Sequence, residues 1–75
     1  MSTQQLDRLD ALAERLRDGG EDGFWPLSTG ERLYVALAAN RADLLEACDY
    51  SIASALGRIG AEWIVALIQR WEYRG

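Results

Sequence analysis

Ser28-Thr29-Gly30-Glu31-Arg32-Leu33-Tyr34-Val35-Ala36-Leu37-Ala38-Ala39 is the stretch on which the fold turns. Its first four residues have the pattern S-x-x-E of a capping box. A serine hydroxyl and a glutamate three residues later satisfy each other's backbone donors at a helix start. Leu33 to Ala39 is then apolar nearly all round. A surface helix keeps a polar face, so a helix without one is the central, most buried element. The small Ala36, Ala38 and Ala39 let neighbours approach it closely.

Upstream, Ser2 and Gln5 have the spacing of a second capping box, S-x-x-Q, which starts a first helix near Thr3. Leu6, Leu9, Leu12, Ala13 and Leu16 recur at three- and four-residue steps, the mark of one apolar helix face. Gly19-Gly20 ends that helix, because glycine tolerates the left-handed cap conformation. Phe24-Trp25-Pro26-Leu27 is an apolar cluster outside any helix, since Pro26 pushes Trp25 from helical geometry. Phe24-Trp25 reads as a plug folded onto the core rather than as a partner anchor.

Downstream, Asn40 to Asp49 has room for a short helical turn at Asp43–Glu46. Asp49 or Ser51 caps the next helix, with Ile52, Ala55, Leu56 and Ile59 on its inner face. Gly60 breaks the chain. A last helix runs from about Ala61 to Tyr73 with an apolar arc of Trp63, Ile64, Leu67, Ile68 and Trp71; Glu62, Gln69 and Tyr73 fall on its polar side. No period-2 alternation persists outside a helical context. The prediction is an all-α fold, a compact bundle of four to five short helices forming a single domain over residues 1–75.

Composition bounds the chemistry. The chain has no histidine, the usual general base and commonest metal ligand, and one cysteine, Cys48. A lone thiol closes no intrachain disulfide, and among apolar and acidic neighbours it reads as a small buried hydrophobe. No Asp/Glu spacing matches a calcium loop, and no P-loop, dinucleotide fingerprint or nucleophile elbow is present. The glycine-rich Asp18–Gly23 loop carries three acids and would repel phosphate. These features point away from an enzyme, and no cofactor or metal is expected. The N-terminus lacks a basic and apolar leader, and the longest apolar run is far short of the roughly 18 residues that suggest a membrane span. The expectation is a cytoplasmic protein without membrane contact.

Twelve acidic residues stand against eight basic ones, a net charge of −4. Such a chain is repelled by phosphate backbones and suits a basic protein surface. On the first helix Asp7, Asp10, Glu14 and Asp18 are spaced three, four and four residues apart. At about 100° per residue they fall within about 80° of one another, opposite the leucines. Glu21 and Asp22 extend the negative surface. The same pattern serves an ordinary solvated face, but Asp18 at a helix C-terminus opposes the macrodipole. Carboxylates at this pitch present charge much as a phosphate backbone does. Tyr73, beside Arg70 and Arg74, has an interface composition. The partner-binding set is therefore Asp7, Asp10, Glu14, Asp18, Glu21, Asp22 and Tyr73.

In size, acidity and helical build the chain resembles the small helical proteins that phages and prophages encode against host defences, the anti-CRISPR proteins among them. The resemblance implies a stoichiometric inhibitor that occupies a nucleic-acid-binding surface on a host effector, such as a CRISPR effector subunit. It carries over no site residues. Two other readings stay open. Residues 51–73 have the cadence of a helix-turn-helix, with Gly60 at the turn and Arg58, Arg70 and Arg74 as its basic residues, although direct nucleic-acid binding runs against the net charge. The chain is otherwise an adaptor or oligomer subunit with an apolar interface. The expected state is a monomer or homodimer.

Overall fold

α2 (Thr29–Ala38) is the centre of the molecule. The capping box forms as its sequence requires: the Ser28 hydroxyl accepts from the Glu31 amide at 3.4 Å, and the Glu31 carboxylate accepts from the Ser28 amide at 3.2 Å. Leu33, Tyr34, Val35 and Ala36 are buried, as an all-apolar helix must be. The computed structural model describes residues 3–72 of the chain.

α1 (Thr3–Arg17) packs along α2 and buries Leu6, Leu9, Leu12, Ala13 and Leu16. The Ser2 cap lies outside the described residues. At the other end Gly20 donates to the Arg15 carbonyl at 2.9 Å and Gly19 to the Leu16 carbonyl at 3.0 Å. This is the Schellman arrangement, with Gly19 in the left-handed region at φ +95°. The loop that follows divides its aromatic pair. Phe24 is fully buried, while Trp25 lies across it edge-on with centroids 4.9 Å apart and remains 46% exposed. The plug reading holds for Phe24 and not for Trp25. Its indole N–H donates to Glu21 at 3.3 Å.

The Asn40–Asp49 stretch folds as α3 (Ala42–Ala47), so the described residues form five helices: α4 (Ile52–Ile59) and α5 (Ala61–Trp71) complete them. α2 and α3 end as α1 does. Arg41 donates to the Ala36 carbonyl and Tyr50 to the Leu45 carbonyl, each at 2.9 Å, with Asn40 and Asp49 in the left-handed position at φ 57° and 64°. Ser51, not Asp49, caps α4, in a capping box with Ser54. α4 and α5 meet at 113° across Gly60 alone, whose φ of 88° and ψ of 167° belong to a region open essentially only to glycine.

The core is one cluster drawn from all five helices and Phe24. The fold is an all-α bundle of 24 × 24 × 23 Å. Two residues assigned to inner faces are on the outside. Ile52 is 57% exposed because it occupies the first turn of α4, ahead of the residues that reach the core. Ile68 is 52% exposed because α5 turns Ala66, Trp71 and the partly buried Trp63 and Leu67 inward, which rotates Ile68 to the far edge of the arc.

Candidate functional site

Among the acids of α1, Asp10 departs furthest from its expected place. It is 9% exposed. One carboxylate oxygen accepts from the Tyr34 hydroxyl and the Trp71 indole N–H, each at 2.8 Å, and the other accepts from Arg70 Nη1 at 2.8 Å. The placement opposite the leucines is thus corrected. On the helical wheel Asp10 lies only about 40° from Leu6, on the flank of the apolar face, where α2 and α5 close over it. A buried carboxylate is tolerated when both oxygens are hydrogen-bonded, and here three donors engage them. Asp10 and then Asp7 hold the Arg70 guanidinium in its charged form. Burial, reinforced by the Asp10 carboxylate, pushes the Tyr34 phenol upward. This node joins α1, α2 and α5 and turns no acidic group toward solvent.

Asp7 is on the surface, its side chain 65% exposed, but Arg70 Nη1 sits 2.9 Å from it. Glu14 and Asp18 are exposed on α1 and its terminus, and Glu21 and Asp22 are exposed in the loop beyond. Asp7, Glu14 and Asp18 stay within about 40° of one another on the wheel. Tyr73 lies outside the described residues. The structure therefore gathers Glu14, Asp18, Glu21 and Asp22 around the carboxyl end of α1, with Asp7 farther along the helix and Asp10 withdrawn.

Arginines limit this acidic end. Arg41 Nη1 donates at 3.0 Å to the Leu16 carbonyl, which also accepts from the Gly19 amide, while the same guanidinium pairs with Asp43 at 2.9 Å and Glu21 at 3.4 Å. Arg17 lies over the Trp71 ring at 5.9 Å. Across residues 14–22 four carboxylates face two guanidinia, so the end of the helix remains negative, and the helix dipole adds to it. Asp18 and Asp22 form no ion pair among the described residues.

Glu31 forms a second polar node at the start of α2. Its carboxylate accepts from Gln5 and Arg8, each at 3.1 Å, and from Ser28. The Gln5 hydrogen bond is the main reason its carboxyl is held below the usual range, with Ser28 and Arg8 adding and burial opposing. This node ties α1 to α2 and is not open to a ligand.

One surface lay outside the sequence-based site set. Val65 and Ile68 are each 52% exposed on the outer side of α5. The signal was present: only Glu62, Gln69 and Arg70 are polar among the 11 residues of α5, more apolar than one inner face requires. That surface also bears on the helix-turn-helix reading. Such motifs join their helices by a turn of three or four residues, and their recognition helix meets bases with polar side chains. Here one glycine joins them, the outer face shows Val65 and Ile68, and Arg70 is held by Asp7 and Asp10.

Among the described residues no group of three or more His, Cys, Asp or Glu could hold a metal ion. No helix among them is long and apolar enough to cross a membrane alone. Cys48 is partly buried at the end of α3. The chain matches no protein-family model, no curated protein and no solved structure.

Proposed function

We propose that this domain is a non-catalytic binding module that occupies a basic surface on another protein, acting stoichiometrically as an inhibitor of the anti-CRISPR kind. The observation that carries the reading is the set of exposed carboxylates at the end of α1: Glu14, Asp18, Glu21 and Asp22, with Asp7 on the same helix face. Asp18 stands where a negative charge opposes the helix dipole, at a cost of about 0.3–1 kcal/mol. An acid held against its own helix is explained by an external cation better than by stability. A Lys/Arg surface that ordinarily meets nucleic acid is the complementary partner. Asp10 has no part in this contact, since its oxygens are already engaged.

The test is affinity capture of the tagged chain from nuclease-treated host lysate, with Glu14→Lys/Asp18→Lys/Asp22→Lys in parallel. The reading expects a nucleic-acid-handling protein retained by the wild type and lost by the variant. Recovery of nucleic acid alone, lost on nuclease treatment, would shift the assignment to the helix-turn-helix.

A further inference from the structure

We infer that the hollow where α1, α2 and α5 end is a pocket for one arginine side chain of the basic partner. α1 and α2 run parallel: Gln5 meets Glu31, Asp10 meets Tyr34, and the Leu16 carbonyl meets Arg41. Their carboxyl ends therefore lie side by side. α5 brings its own carboxyl end to the same place. Leu67, Trp71 and Glu72 line the hollow together with Arg17, Leu37 and Asn40.

Each helix carries about half a negative charge at its carboxyl end. Three such ends converge here, and Glu72 adds a full charge at the wall. Glu14 and Asp18 share an adjoining recess with Arg17. The field of the hollow therefore selects a cation, and its walls select which one. Leu37, Leu67 and Trp71 are an apolar lining for the methylene stem of a long basic side chain. The Asn40 and Glu72 side chains carry acceptors for a guanidinium's forked donors. The volume is about 280 Å³. Small-molecule sites run from roughly 300 to 1,000 Å³, so this one suits a single side chain better than a cofactor. The chain itself shows the fit. The Arg17 guanidinium lies over the Trp71 ring at 5.9 Å, within the roughly 6 Å reach of a cation–π contact. Arg17 is exposed, so it can turn toward Glu14 and Asp18 and leave that face to an incoming guanidinium.

The pocket rests on the acidic-end reading for its partner, yet the two fail separately. The test is two-dimensional proton–nitrogen resonance of the full chain, titrated with N-acetyl-arginine amide and with its uncharged isostere N-acetyl-citrulline amide. The Trp71 indole and Asn40 side-chain signals should shift saturably with the arginine probe, while the Trp25 and Trp63 indoles stay in place. The citrulline probe should bind at least about tenfold more weakly. Glu72→Arg should weaken the arginine probe about threefold or more. That variant keeps the fold, since Glu72 is exposed and a basic residue suits a helix carboxyl end. Shifts that never saturate, equal binding of the two probes, or indifference to Glu72→Arg overturn the pocket. If a partner is still captured and is lost by Glu14→Lys/Asp18→Lys/Asp22→Lys, the acidic-end reading survives that failure. A saturable arginine site in a chain that captures no partner has the opposite meaning: the pocket stands and the acidic-end reading falls.

Discussion

Truncating Asp10 would strand a tyrosine hydroxyl and an indole N–H in a place water hardly reaches, and would leave Arg70 Nη1 to Asp7 alone. Leaving such donors unpaired costs more than the net gain of making the bonds. Asp10→Ala should therefore lower unfolding stability by about 3 kcal/mol, read from the urea midpoint; a midpoint unchanged from wild type would show that the node is not structural. The pH dependence follows from two neighbours. Glu31 is favoured as its anion in the fold, so its contribution is complete above its ordinary 4.5 and is lost as pH falls through its lower folded value. Glu31→Gln should be less stable than wild type at neutral pH, and the gap should close on acidification. Tyr34 has the opposite sense. Its neutral form is favoured, so its contribution is complete below about 10 and is lost as pH rises beyond. Tyr34→Phe should flatten that alkaline loss in a stability titration. Asp10 was hard to read from sequence because its spacing from Asp7 and Glu14 fits the acidic stripe as well as any. Only the closure of α2 and α5 over the flank of α1 separates it from them.

At the scale of elements, local chemistry decides the boundaries. The capping box at Ser28, the heptad-like leucines of α1 and the break at Gly60 were legible because each rests on neighbours within one or two turns. The shared way that α1, α2 and α3 end was less visible, since Asn40 and Asp49 take a left-handed position more often given to glycine. Asp49→Gly should relieve both the backbone strain and the acid at a helix C-terminus, raising stability by about 0.5–1 kcal/mol; thermal denaturation checks it, and a lower Tm would mean that the Asp49 side chain has a role of its own. The outward rotation of Ile52 and Ile68 was not legible, because a helical period tells which residues share a face but not how far that face extends toward solvent.

The whole molecule is electrically lopsided. Carboxylates crowd the end of α1 and the loop after it, while α4 and α5 form an apolar, nearly neutral side. An acidic character was plain from composition. Its division between a withdrawn Asp10 and an exposed end came only with the packing, and the apolar side came with it. We propose that the exposed end, not the apolar side, meets a basic partner. The most direct measurement is calorimetric titration of the captured partner with wild type and with Glu14→Lys/Asp18→Lys/Asp22→Lys, at low and high ionic strength. Wild-type affinity should fall steeply with salt, and the variant should be weakened at least about a hundredfold, equivalent to about 2.7 kcal/mol, with its helicity intact. Equal affinities, or a wild-type affinity indifferent to salt, would contradict it.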